Sequence, residues 1–332
     1  MPLENIKHVS VRTDIAAETY EMLKESGKDC YYGVETQTKN YETLSVTKVI
    51  IKDEAASEVF GKPIGTYITI ETDRMKINDV SCHEKIIQVA AENLGSLIKL
   101  KPDDTVLIVG LGNWNITPDA LGPQTVSKIL VTRHIEAEAP EELDNVRSVA
   151  AISPGVMGIT GIETVEIVKG LTERIKPALI IAVDALAARK FSRINATIQM
   201  TDTGVSPGSG VGNKRVSLDY NTLGVPVIGI GVPTVVDAAT LVNDTMDRII
   251  YDMAEAAKEG HRDFYNTLTE LGEEEKYSLI RELLEPYAEN MFVTPKEVDS
   301  VISRLSGIIA NFINITLQPN MTADDINRYV NS

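Results

Sequence analysis

Four apolar runs separated by helix-like segments constrain the fold of this chain more than any other feature. The runs are rich in Val, Ile, Leu and Ala and occupy residues 106–110, 147–152, 178–183 and 225–230. Short runs of this kind are typical of strands that are buried on both faces. Since helices usually join parallel strands, we predict an α/β fold with a mostly parallel sheet and helices on both faces.

The segments outside this central region predict additions to the same domain. Residues 44–51 and 67–71 are rich in β-branched residues and predict an N-terminal strand pair. Near the C-terminus, apolar residues at helical spacing predict helices within 276–316, and a charged stretch predicts an exposed linker near 259–275. We therefore expect one large α/β domain over residues 10–332.

Charge and cysteine content narrow the classes of partner. The chain has 48 acidic and 32 basic residues, a formal net charge of −16, which argues against a direct nucleic-acid binder. Two cysteines cannot form a disulfide framework, and the N-terminus lacks the apolar core of a signal peptide. No uninterrupted apolar stretch is long enough to cross a bilayer. We expect a cytoplasmic protein that binds neither nucleic acid nor a membrane.

Two aspartates occupy matching places after predicted strands. Asp119 follows the strand 106–110 and a Gly-Leu-Gly turn, while Asp184 comes directly after 178–183, where we expect a short helix to about Ser192. Because parallel strands end at one edge of a sheet, both carboxyls are expected at that edge. Two close carboxyls have pKa values pushed apart, so the pair can hold a proton and activate a water, as peptide hydrolysis requires.

Each aspartate also has a structural interpretation. Asp119 could favour the positive end of a helix dipole, and Asp184 could cap the short helix predicted after it. A single metal ion bridging the two carboxylates is a further alternative, although no histidine pair has ligand spacing. The residues alone leave these interpretations open.

Two other motifs invite a functional interpretation. Asp202 begins an Asp-Thr-Gly triplet like that of pepsin-like proteases, but the triplet occurs once and within a βα pattern, which favours a turn. The glycine-rich loop 208–215 is not a Walker motif, because the spacing before Lys214 is wrong and no Ser or Thr follows it. A loop lining a peptide cleft is favoured over a nucleotide site, and a nucleotide-binding regulatory protein stays a remote alternative.

Several longer segments resemble the germination protease (spore protease) family. They occur in the family's order from about residue 11 to the C-terminal helix, at 109–123, 154–164, 181–189, 207–215, 224–237 and 293–299. The resemblance implies an endopeptidase of spore-forming bacteria that degrades small acid-soluble spore proteins during germination. The family is described as an atypical aspartic protease, and its two essential aspartates fall on Asp119 and Asp184. No cofactor is implied.

The resemblance also implies how the protein is made and processed, and which other proteins share its fold. The family is made in the forespore as a homotetrameric zymogen that removes a short N-terminal segment from itself. Residues 1–9 are accordingly the expected propeptide, with the cut between Val9 and Ser10. One departure is Ser206, where members can carry a histidine. The family is similar in fold to hydrogenase-maturation endopeptidases, and the resemblance implies the three-layer, phosphorylase/hydrolase-like arrangement. Because the comparable acids of those endopeptidases bind a metal, a metal-dependent peptidase using the same two aspartates is the main alternative.

Overall fold

A nine-stranded mixed sheet forms the centre of the described structure. The computed structural model describes residues 15–25, 33–138, 146–208, 215–257, 291–321 and 326. Within these residues the strands are β1 Val34–Asn40, β2 Ser45–Ile51, β3 Gly65–Glu71, β4 Val106–Gly110, β5 Val149–Ile152, β6 Leu179–Ala188, β7 Thr197–Thr201, β8 Val227–Asp237 and β9 Phe292–Val293. Their order is β1-β2-β3-β7-β8-β6-β4-β5, and β9 pairs with β8.

The middle of the sheet is parallel and its N-terminal part is antiparallel. Strands β5, β4, β6 and β8 are parallel neighbours, whereas β1, β2, β3 and β7 pair antiparallel up to β8. The connection between β1 and β2 is too short for a crossover, so these strands form a hairpin. The predicted α/β class and N-terminal strand pair are confirmed, and the antiparallel part makes the whole sheet mixed.

Helices cover both faces of the parallel strands. The α-helices of the described residues are α1 Ala16–Glu25, α2 Glu54–Phe60, α3 Val80–Leu97, α4 Leu121–Val126, α5 Arg133–Glu138, α6 Met157–Thr160, α7 Thr164–Ile175, α8 Tyr220–Leu223, α9 Ala238–Ala257 and α10 Val298–Leu317. Three 3₁₀ turns join them: η1 Asp73–Lys76, η2 Thr117–Asp119 and η3 Phe191–Arg193. Helices α3, α4 and α10 pack on one face, and α7 lies on the other.

The alternation of side chains along β4 shows why its sequence is apolar throughout. Ile108 points into the core under α3 and α10, while Leu107 and Val109 point into the core under α7. All three are essentially inaccessible to water. Fully burying each such side chain contributes about 1.5–3 kcal/mol. A strand covered on both faces therefore needs a continuous apolar run.

Helix α10 supplies much of the core on one side. Its apolar stripe, predicted from the sequence, packs against α3 and α4. Buried Asn314 is satisfied there, since its Oδ1 accepts from Leu130 N at 3.0 Å and its Nδ2 donates to Lys128 O at 3.2 Å. Among the described residues it is the one helix long and apolar enough to span a membrane, but 61% of its apolar window is buried inside the protein. Core packing explains its composition.

Helix α1 is anchored firmly on the sheet. Ala16 N donates to Gln199 Oε1 at 2.6 Å, and Glu18 accepts from Arg189 N and Lys190 N at 3.0 and 3.1 Å. The predicted propeptide 1–9, the predicted linker and the predicted helix at 275–287 lie outside the described residues.

One predicted element is wrong. Strand β6 does not end before Asp184 but continues to Ala188, followed by η3, where a helix was expected. Residues Ala185–Ala188 pair with β8 between Val232 and Val236. Long-range strand pairing here overrides the helix propensity of three alanines and a leucine.

Candidate active site

The chain turns sharply out of the sheet after β4. Gly112 has φ +116°, in the left-handed region that side chains rarely adopt. A Cβ at this position would lie 1.9 Å from the carbonyl oxygen of Asp119. The turn therefore requires glycine, because the loop from Gly112 to Asp119 closes directly onto it.

Hydrogen bonds within this loop fix the Asp119 carboxylate. Asn113 N donates to Asp119 Oδ2 at 2.7 Å, and Asp119 N donates to Ile116 O at 2.8 Å. Asn113 Oδ1 also accepts from Asn115 N at 3.0 Å. The carboxylate thus accepts the hydrogen bond of a backbone N–H that a Gly-rich nucleotide-binding loop would donate to a phosphate. This arrangement disfavours the nucleotide-binding alternative.

The environment of Asp119 favours its protonated form. Burial raises the pKa of this carboxyl above its ordinary range, against the opposing effects of the Asn113 N–H and the positive charge of Arg215. A carboxyl that keeps its proton more readily than usual is suited to donate it in a reaction.

Asp184 lies at the place where β6 loses its neighbour β4. The pairing of β4 with β6 ends at Gly110 and Val183, and Leu111 N donates to Val183 O at 2.8 Å. On its other side Asp184 pairs with Gly231 of β8. Its side chain is buried, and its Oδ1 accepts from Ala185 N at 2.9 Å. The interpretation of Asp184 as a helix cap is wrong, because β6 continues through it.

Close packing at Gly122 holds the Asp119 loop against the β4–β6 junction. Gly122, three residues after Asp119, lies so close that a Cβ there would be 2.3 Å from Leu111 O and 2.5 Å from Val183 O. The start of α4 therefore rests on the backbone that immediately precedes Asp184. The fold brings both predicted aspartates to the carboxyl end of β4.

The described residues that flank the glycine-rich loop lie next to β8. Val205 and Leu218 exchange backbone hydrogen bonds of 3.0 and 2.8 Å, and the Ser206 and Ser217 hydroxyls are 2.7 Å apart. Arg215 follows the undescribed part of the loop and acts electrostatically on Asp119. We did not identify Arg215 from the sequence. The Lys-Arg pair that ends the loop was the available signal, but it was considered only for phosphate binding.

Asp202 has a structural role. Its Oδ1 accepts from Thr66 N at 2.7 Å, so the side chain ties the end of β7 to the beginning of β3. The following Gly204 adopts φ +85° against the backbone of Leu218. The Asp-Thr-Gly triplet is therefore a turn, as its context predicted.

No conventional multi-ligand metal centre accompanies the two acids. Across the described ranges, no group of three or more His, Cys, Asp and Glu side chains is arranged to hold a metal ion. The fold and this edge together define the class, a three-layer α/β protein that presents two carboxylates beside the end of a central strand.

Comparison with known proteins identifies the family. The sequence model described as germination protease matches residues 10–268 and 252–330. The germination protease of Clostridium acetobutylicum is 49% identical over 326 residues, covering 97% of this chain and 99% of the relative. That of Caldanaerobacter subterraneus subsp. tengcongensis is 48% identical over 322 residues, covering 96% and 98%. The Bacillus cereus protein is 42% identical over 364 aligned residues, covering 99% of each.

The chain belongs to the germination protease family, as its motifs predicted. It is accordingly a peptidase, a hydrolase of spore germination.

Proposed function

We propose that this protein is an endopeptidase that initiates the degradation of small acid-soluble, DNA-protecting spore proteins during germination, with Asp119 and Asp184 activating the attacking water. The observation that carries the proposal is the β4–β6 junction, where Asp119 and Asp184 flank the same short piece of backbone. Family membership supplies the reaction class, and the junction supplies an acid/base pair for it.

The two environments suggest a division of labour. Asp184, whose carboxylate is hydrogen-bonded by Ala185 N–H, accepts a proton from the water as its oxygen bonds to the scissile carbonyl carbon. Asp119, whose pKa is raised by burial, donates its proton to the carbonyl oxygen. When the C–N bond breaks, the amide nitrogen takes the proton held by Asp184, and a hydroxyl of the tetrahedral intermediate returns a proton to Asp119, which yields the carboxylic acid product and restores both aspartates. The charge of Arg215 close to Asp119 stabilises negative charge that develops on this side.

The proposal extends to maturation and assembly. The protein is made as a homotetrameric zymogen in the forespore, acts in the spore core, and cleaves itself between Val9 and Ser10 without a cofactor. Removing residues 1–9 leaves the anchor of α1 intact, since Ala16 and Glu18 hold that helix on the sheet. The net charge of −16 suits a protease that acts on proteins released from DNA rather than on DNA itself.

The test is cleavage of a purified small acid-soluble spore protein by wild-type and variant enzymes. Asp119→Asn and Asp184→Asn should each lower the rate at least about a hundred-fold and stop self-processing, because each removes a proton-transfer group. Asp202→Asn is the matched control, since its amide oxygen can still accept from Thr66 N. Circular dichroism checks that all three variants fold. Normal cleavage by Asp184→Asn, or loss of cleavage in Asp202→Asn, would refute the assignment.

A chelation arm separates the aspartic mechanism from the metal-dependent alternative. Exhaustive chelation should leave the activity unchanged if the carboxylates alone activate water. Activity that is lost on chelation and restored by adding a divalent ion would replace the aspartic mechanism with a metal-assisted one at the same residues.

A further inference from the structure

The loop that carries Asp119 displays two large apolar side chains to solvent. Trp114, the single tryptophan of the chain, is 57% exposed, and Ile116 is 53% exposed. Both lie within the six residues that separate Gly112 from Asp119. Exposed apolar side chains of this size at a site edge indicate a contact surface rather than a packing role.

The loop is rigid where these side chains are attached. Asn113, directly before Trp114, donates its N–H to Asp119, while Ile116 N donates to Asn113 O at 3.1 Å and Ile116 O accepts from Asp119 N. All of these bonds involve the backbone or Asp119 itself. The positions of Trp114 and Ile116 are therefore fixed relative to the Asp119 carboxyl, which is how a specificity element is held relative to the chemistry.

The neighbouring strand end continues the apolar surface. After β5, the partner of β4 on the side away from β6, the chain exposes Met157, Ile159 and Ile162, each between 43% and 60% accessible. Exposed apolar side chains thus follow two adjacent strand ends, β4 and β5. An extended peptide crossing the acids would meet this surface on one side of its scissile bond.

We propose that Trp114 and Ile116 form an apolar subsite that binds an apolar side chain of the substrate next to the scissile bond and thereby determines cleavage specificity. The inference rests on the proposed peptidase site at Asp119 and Asp184. Its occupant is a segment of an extended, unfolded protein substrate, since only an extended chain can place one side chain on this loop and the adjacent carbonyl at the acids. Trp114 and Ile116 are specificity-determining residues, because they touch substrate but carry no proton.

Binding is tested directly by the fluorescence of Trp114. The Asp184→Asn variant, which leaves the Asp119 loop intact, is titrated with a peptide spanning the cleavage point mapped in a small acid-soluble spore protein. Tryptophan emission should shift to shorter wavelength as the indole is covered. A second peptide, in which the apolar residues flanking the scissile bond are replaced by alanine, should bind more weakly and shift the emission less. Saturable binding of the first peptide without an emission shift would overturn the proposal.

Specificity is tested by comparing cleavage of the same two peptides. Wild-type enzyme should prefer the apolar peptide in kcat/KM, and Trp114→Ala should lower that preference about ten-fold, mostly through KM. Ile64→Ala is the matched control, because Ile64 is 49% exposed on the connection into β3, and it should keep the wild-type preference. Equal losses on both peptides would show a structural role and overturn the proposal.

Two further readouts separate the competing explanations. Gel filtration should give the same assembly for wild type and Trp114→Ala, and dissociation of the variant with an unchanged peptide preference would assign this surface to subunit contact instead. If wild-type enzyme cleaves neither peptide nor the intact spore protein, the proposed peptidase function fails, whereas loss of the preference alone leaves it standing.

Discussion

Replacing Gly112 by alanine should lower both the free energy of unfolding and the catalytic rate. The loss of stability has two causes. The first cost is conformational, since φ is +116° and a left-handed backbone costs an L-residue about 1–2 kcal/mol. The second is steric, because the new Cβ would lie 1.9 Å from the Asp119 carbonyl oxygen, and overpacking against fixed neighbours costs about 1–3 kcal/mol. The sum is about 2–5 kcal/mol.

The catalytic effect follows from how the clash is relieved. Removing a 1.9 Å contact requires a relative displacement of about 1 Å, and a misplacement of that size can cost about a hundred-fold in rate. The atoms that must move belong to Asp119 itself. We therefore expect kcat on a spore-protein substrate to fall about a hundred-fold even at a temperature where the variant is fully folded.

Gly61→Ala supplies the matched control. Gly61 also has a positive φ, +61°, but a Cβ there would meet nothing within 4 Å. It should show only the conformational cost of about 1–2 kcal/mol and full activity. At about 2 °C per kcal/mol for a chain of this size, thermal melting should place Gly112→Ala clearly below Gly61→Ala. Equal melting temperatures, or full activity of folded Gly112→Ala, would refute the reasoning.

Three further predictions concern charge and backbone entropy. Arg193→Met should lower the free energy of unfolding by about 3–5 kcal/mol in chemical denaturation, because buried Arg193 contacts Glu21 at 2.6 Å and Glu71 at 2.8 Å; a loss no larger than that of an exposed ion pair would contradict this. Asp119→Asn should raise the melting temperature at neutral pH, with the gain vanishing in acid. Because the pKa of Asp119 is raised in the folded protein, the ionised carboxyl destabilises the folded state at pH values above that pKa. In acid, the carboxyl is protonated in both the folded and the unfolded state, so the substitution removes no such cost. A stability gain that grows in acid would contradict this reasoning. Gly95→Ala, exposed in α3 with nothing within 4 Å of the new Cβ, should stabilise by about 0.5–1 kcal/mol, and destabilisation on melting would show an unrecognised contact.

The parallel centre of the sheet could be predicted because its physical signal is local. A strand covered by helices on both faces must be apolar at every position. Each of the strands β4, β5, β6 and β8 can therefore be recognised in the sequence as an apolar run. Strand β1 has no such signal, since its sequence is polar and almost every residue is exposed. Its existence depends on the backbone pairing with β2, which no periodicity in Val34–Asn40 reveals.

The features of the site that were missed depend on distant parts of the chain. The continuation of β6 through Ala185–Ala188 is imposed by β8, about fifty residues later, and local propensity for helix loses to that pairing. The effect of Arg215 on the pKa of Asp119 likewise joins two positions that are distant in the chain. Sequence could name both aspartates and predict their shared edge, but not the charge that faces one of them.

The candidate site lies where β4 ends before its neighbour β6. Strand β4 stops at Gly110, while β6 and β8 continue together for five or more residues beyond that level. The missing continuation of β4 leaves a gap in the sheet directly beside Asp184. Gly112 turns the chain out of the sheet, and Gly122 lets it return against Leu111 and Val183, so Asp119 comes back to the same gap. A substitution at either glycine should therefore displace the Asp119 loop and alter catalysis more than a substitution at Gly61, where a Cβ would meet nothing within 4 Å.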